Sequence, residues 1–208
     1  MYDATTAIGQ FLEAAAAKQP TPGGGSVTAL VGALSASMAE MVVNYSAGKK
    51  GLEPHRDELN EALRELTRAR GLMLRLMEED QAAYGALTAA RKLPEGSRQR
   101  EEQLAAALLA SISTPQSIAA AAVAVLGLCD RLVEVSNRHL LSDLAVSADL
   151  AMASVRCAIY NVRVNLADVA DPDERRAIET NIGQILAHAA VLIQRVSPRI
   201  WTRYAEGR

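Results

Sequence analysis

Residues 26–47, SVTALVGALSASMAEMVVNYSA, are small or apolar on nearly every side once wound into a helix. Val27, Leu30, Val31, Leu34, Met38, Met41, Val42 and Tyr45 cover more than one face, and Gly32 and Ala36 form a small-xxx-small pair. A helix of that kind has no water-facing side, so other helices or a second subunit must enclose it. Ser35, Ser37 and Glu40 interrupt the apolar run, which argues against a membrane span. The rest of the chain has to supply the enclosure.

It reads as helix almost throughout, and no alternating apolar/polar strand pattern occurs. The expected helices are 3–18, 26–47, 55–91, 97–112, 115–136, 141–168 and 172–196. Pro20, Pro22 and the glycines end the first, GKKGLEP the second, LPEGS the third, and STP separates the fourth from the fifth. Asp171 is an N-cap with Pro172 in the first turn, and Pro198 marks a break in the last helix. Half the residues are hydrophobic but only 3% are aromatic, so alanine, leucine and valine carry the core, which suits closely packed helices. With no linker or repeat in 208 residues, the expectation is an all-α, single-domain bundle of about seven helices spanning residues 1–208. A net charge of −2 gives no basic footprint for nucleic acid. The N-terminus lacks a basic leader region, and Cys129 and Cys157 read as reduced thiols, so a cytoplasmic protein is expected.

Three polar features depart from this apolar scheme. Gly23, Gly24 and Gly25 precede Ser26 at the mouth of the enclosed helix, where bare N–H groups and the positive dipole end attract an anion or a polar ring. A tight turn with Ser26 as a plain N-cap is the alternative reading. Asp80 falls on the apolar stripe Leu59, Leu63, Leu66, Ala69, Met73, Leu76, Asp80, Tyr84, Leu87, where burial would raise its pKa unless it lies at a wet bundle end. On the sixth helix Asp143, Ser147, Ser154, Asn161 and Asn165 form a small polar stripe, suited to a polar groove or a close helix–helix seam. His55, His139 and His188 have no ligand neighbours at metal spacing, so no metal is expected. Lys49-Lys50 either holds an anion or terminates a helix.

PTPGGGSVTAL, MVVNYSAGKK, EEDQAAYGALTAARKLP, NRHLLSDLAVSADLA and AIYNVRVNL occur in an order that resembles the formiminotetrahydrofolate cyclodeaminase/methenyltetrahydrofolate cyclohydrolase family, over residues 5–168. YSAGKK departs from the family pattern. The resemblance implies an all-helical homodimer with a folate site near the subunit contact and no cofactor beyond the tetrahydrofolate substrate. It assigns folate binding to Gly23, Gly24, Gly25 and Ser26, an anionic part of the ligand to Lys49, and catalysis or positioning to Asp80 and Asp143. Tyr84 is expected to wall the ring, and Asn161 and Asn165 match by motif as substrate-binding positions. Hydrolysis of a methenyl bridge and deamination of a formimino group both need one proton taken from the attacking group and given to the leaving nitrogen, work suited to a carboxylate of raised pKa. Cyclohydrolysis is the first expectation, because the 208 residues hold no transferase domain. Cyclodeamination is the second, and a non-catalytic folate- or protein-binding dimer the third.

Overall fold

The computed structural model describes residues 1–206. Six α-helices account for most of them: α1 (Ile8–Ala16), α2 (Gly24–Asn44), α3 (Arg56–Arg91), α4 (Arg98–Val135), α5 (Leu141–Leu166) and α6 (Pro172–Glu206). Short 3₁₀ turns, Glu53–His55 and Arg138–Leu140, lead into α3 and α5, and no strand occurs among the described residues.

The apolar helix α2 sits where its sequence requires. It packs on α3, α5 and α4, which bury Ala29, Ala33, Ala36, Ala39, Val42 and Val43. Only its outer side is open, where Val27, Leu34 and Tyr45 are exposed. Its length and composition would also suit a membrane span, but more than half of its length is buried inside the bundle. The seam between α2 and α5 is antiparallel and small-sided. Ser35 Oγ donates to the Ser147 carbonyl at 2.8 Å, Ser147 Oγ returns a bond to the Ser35 carbonyl at 2.8 Å, and Ser154 Oγ donates to the Thr28 carbonyl at 3.1 Å. Two serines of the polar stripe on α5 are therefore seam residues, each bond contributing about 0.5–1.5 kcal/mol net. At Gly32 the backbone comes so close that a methyl group would meet Met73 Cε at 2.6 Å and Ser154 Oγ at 3.1 Å.

Two prolines do not end helices as the sequence suggests, and the expected seven helices reduce to six. The fourth and fifth are one helix, α4, running through Pro115. Proline has no N–H for the carbonyl four residues back, normally a cost of about 3 kcal/mol or more with the ring clash. Here that carbonyl belongs to Ser111, and Asn165 Nδ2 from α5 donates to it at 2.9 Å. A side chain from a neighbouring helix replaces the missing backbone donor, a compensation invisible to local sequence. The last helix likewise continues past Pro198 to Glu206. Arg195 and Arg199 both reach Asp130, Arg199 also meets Glu134, and Arg203 donates to the carbonyls of Val133 and Ser136. That ladder fastens the far half of α6 to the end of α4. Asp171 behaves as expected, its Oδ1 accepting from Asp173 N at 2.8 Å as α6 starts. The first helix is shorter than 3–18, because Asp3 instead organises a turn with Thr5 and Thr6.

Candidate active site

The antiparallel α2–α5 pair brings the glycine turn of α2 to the C-terminal end of α5, and α3 packs on α2 and α4. Between them lies a cavity of about 370 Å³, lined on one side by Pro20, Thr21 and Gly23–Gly25 and on another by Asp80, Ala83, Tyr84 and Leu87 of α3. Asn161, Val164 and Asn165 of α5, Ser111 of α4 and the Arg91–Asp168 pair complete it.

Asp80 faces the start of α2. Its Oδ2 accepts a 2.8 Å bond from Ser26 Oγ, and Ser26 itself is fully buried. Burial pushes the Asp80 carboxyl up from the ordinary carboxylate range, and hydrogen bonds from the Ser26 side chain and backbone pull it part of the way back. The net direction is upward. A carboxylate at a helix N-terminus is electrostatically welcome, and one of raised pKa is suited to moving a proton.

The carboxylate also explains the glycines. A methyl carbon on Gly25 would stand 2.5 Å from Asp80 Cγ and 2.8 Å from Oδ2, and nearer still to Oδ1. No side chain fits there while Asp80 keeps its place. On Gly24 the same carbon would lie 3.2 Å from Asn161 Oδ1, a tight but smaller conflict. On Gly23 it would meet nothing closer than the Pro20 carbonyl at 3.9 Å. The middle and last glycines answer to close approach, and the first to none.

Tyr84, one turn beyond Asp80, lines the same cavity and is 47% exposed. Asn161 is at the wall with Nδ2 held by the Cys157 carbonyl at 3.0 Å. Asn165 is there too, but its amide is engaged by the carbonyls of Ser111 and Asn161. Ser26 reaches the site through Asp80. Gly23, Gly24, Gly25, Ser26, Asp80, Tyr84, Asn161 and Asn165 thus converge in one chain.

Lys49 and Asp143 do not join them. Lys49 follows the C-terminal end of α2, with Nζ donating to Asn137 Oδ1 at 2.5 Å. Asp143 is in the first turn of α5. Eighteen residues of helix separate Asp143 from Asn161, about 27 Å at 1.5 Å per residue. Both lie at the opposite end of the α2–α5 pair from the cavity.

Arg91, Asp168 and Ser111 went unread in the sequence. Arg91 Nη2 donates to Asp168 Oδ2 at 2.7 Å across the cavity wall. A signal for Arg91 existed, since the steps 80, 84, 87, 91 continue one helical face. Ser111 and Asp168 carry no such pattern. Among the described residues no three His, Cys, Asp or Glu side chains group to hold a metal ion. Cys129 is buried with its thiol pushed up to about 12 by burial, and Cys157 is exposed; both are free.

A sequence profile described as formiminotransferase-cyclodeaminase matches residues 7–184. The chain belongs to that family. Among relatives with this domain, the methenyltetrahydrofolate cyclohydrolase of Methylorubrum extorquens is 29% identical over 196 residues, covering 91% of this chain and 93% of the relative. The formimidoyltransferase-cyclodeaminase of Mus musculus is 29% identical over 192 residues, covering 88% of this chain and 35% of the relative. The chain thus spans about a third of that longer protein. The crystal structure of formiminotetrahydrofolate cyclodeaminase from Thermotoga maritima superimposes with a TM-score of 0.88 at 28% identity, over 95% of this chain and 97% of the other. The family fold and the bundle built from the enclosed α2 are the same.

Proposed function

We propose that this enzyme hydrolyses 5,10-methenyltetrahydrofolate to 10-formyltetrahydrofolate, with Asp80 as the proton-carrying group. The observation that carries the reading is a carboxylate of raised pKa, fixed by Ser26 beneath the glycine turn and facing a cavity sized for a bicyclic head group. A relative of matching length bears the cyclohydrolase name. In the hydrolysis a water oxygen attacks the cationic carbon that bridges N5 and N10. Asp80 takes one proton from that water and returns it to N5 as the N5–carbon bond breaks. The remaining hydroxyl proton goes to solvent as the formyl C=O forms on N10. The negative charge of Asp80 also favours the cationic bridge before attack. Tyr84 walls the ring, and the Gly23–Gly24 backbone lets it approach the turn.

Cyclodeamination is the second reading, favoured by the whole-length match to a cyclodeaminase structure. There N10 attacks the formimino carbon and ammonia leaves, with the same carboxylate carrying the proton. Two assays on the purified chain separate the readings. Accelerated loss of methenyltetrahydrofolate absorbance without ammonia from the formimino compound supports hydrolysis. Ammonia release with no acceleration reverses the order, and neither activity sinks both.

A homodimer belongs to the same proposal. The outer sides of α2 and α5 leave Val27, Leu34, Val146 and Val164 exposed, with Tyr45 just past the end of α2. A two-fold axis through the middle of that face would make the partner's helices antiparallel to these. It would carry the Lys49 and Asp143 end of a second copy toward this cavity, the route by which Lys49 would meet an anionic part of the ligand and Asp143 would serve catalysis or positioning. Mixing an inactive Asp80→Asn chain with an inactive Lys49→Ala chain should then restore part of the activity in the mixed dimer. No recovery, with mixed dimers demonstrated, would remove Lys49 from the site.

A further inference from the structure

A larger space adjoins the head-group cavity. A second cavity of about 860 Å³ lies between the end of α3, the first half of α4 and the start of α6, and shares Leu87, Arg91 and Asp168 with the first. Its inner wall is aliphatic, with Leu104, Leu108 and Ile112 of α4 facing Val169 and Ile178. Arg91 of α3 stands at the shared boundary, and Arg100 of α4 also lines the larger space.

We infer that this second cavity holds the aryl-amide and glutamate tail of the folate whose ring occupies the first; the inference rests on the folate reading above. The first cavity, of about 370 Å³, has room for a reduced bicyclic ring and its one-carbon bridge beside the glycine turn. The attached benzoyl ring and amino acid then extend from the ring into an adjoining space. The aliphatic wall takes a flat apolar ring, and an arginine fork takes a carboxylate. Arg91 engages one of its five N–H groups on Asp168, and Arg100 Nη1 donates to the Leu93 carbonyl at 2.9 Å, so both forks are held in place with donors remaining. Asp168, Asp171 and Glu174 also line the cavity, so its formal charge is not positive. Tail recognition is therefore local pairing at the two arginines and not attraction by a basic field.

A competing exit exists. A crevice of about 500 Å³ shares Pro20, Thr21 and Tyr84 with the head-group cavity. Its lining, with Met1, Thr21, Gln81 and Thr88, lacks the leucine wall of the larger cavity, and Lys92 is its cationic side chain.

The test uses Leu108→Trp, which fills the leucine-lined space, and Arg100→Glu, which reverses one fork, with Lys92→Glu marking the other exit. Wild-type turnover of methenyltetrahydrofolate or its formimino counterpart is established first, because its absence would sink the folate reading itself. The substrate that wild type uses then serves for every variant. Binding of a tail-less tetrahydropterin is measured as competitive inhibition. Expected are KM increases of roughly tenfold or more for L108W and R100E, kcat within about threefold of wild type, and an unchanged inhibition constant for the tail-less compound. Unchanged KM in both variants would overturn the inference while leaving the folate reading intact. So would an equal weakening of the tail-less compound, or a KM increase confined to K92E.

Discussion

Replacing Gly25 with alanine should inactivate the enzyme far more than it unfolds it. The added methyl would stand 2.5 Å from Asp80 Cγ, inside the 3.0 Å that real Cβ contacts essentially never breach. Asp80 lies against that same helix start, so the carboxylate has to leave, and the 2.8 Å bond from Ser26 goes with it. Loss of a charged hydrogen bond costs about 1.5–3 kcal/mol. Alanine in a helix returns about 1 kcal/mol relative to glycine. The net destabilisation is then roughly 0.5–2 kcal/mol, by the difference of those two figures. Activity should suffer more, because displacing a reacting group by about 1 Å can cost on the order of 100-fold. Gly23→Ala is the control, since its methyl meets nothing closer than 3.9 Å. The assay is the initial rate of methenyltetrahydrofolate absorbance loss, paired with a thermal melt. Should G25A keep kcat/KM within about threefold of G23A while both stay folded, the placement of a working carboxylate under Gly25 is wrong.

Other consequences follow from the same contacts. Ser26→Ala removes the side-chain bond that pulls the Asp80 pKa down and leaves the backbone one, so the acidic limb of the kcat/KM profile should move to higher pH; an unmoved limb would mean that Asp80 does not set it. Asp80→Asn should raise the melting temperature at neutral pH. A carboxyl raised on folding destabilises the native state once it ionises, so the gain should appear as pH rises through the unfolded value near 3.9 and then the higher folded value, and vanish below both. A melting difference that grows toward acid pH would contradict that sign. Asn165→Ala should cost about 1–3 kcal/mol by orphaning the Ser111 carbonyl. Adding Pro115→Ala should recover part of that cost, because alanine restores the backbone donor; strictly additive effects in denaturant melts would exclude the coupling.

The fold was legible because its main constraint is local. An apolar α2 demands company, and helical spacing with glycine and proline punctuation supplies the companions. Where the reading failed, the cause was tertiary. Pro115 and Pro198 would end isolated helices; Asn165 from α5 caps the carbonyl that Pro115 leaves open, and around Pro198 the arginines of α6 itself tie the helix to the end of α4. Asp80 was found because a carboxylate in a core register contradicts its surroundings. The glycines were found because three in a row at a helix start need a reason. The geometry then divides that reason, giving Gly25 to Asp80 and Gly24 to Asn161. Asn165 lines the cavity and has a second duty that no motif reveals, since its amide also holds α4 together. Lys49 and Asp143 show the limit of motif transfer, since a single chain keeps them a helix length from the cavity.

Turnover of methenyltetrahydrofolate by the wild-type chain and by Asp80→Asn, across pH 4 to 9, bears on the central claim most directly. The account predicts that wild type accelerates decay of the methenyl absorbance, with a limb above the usual carboxylate range, and that the asparagine variant is folded and slower by about 100-fold or more. A folded variant with wild-type turnover would contradict it.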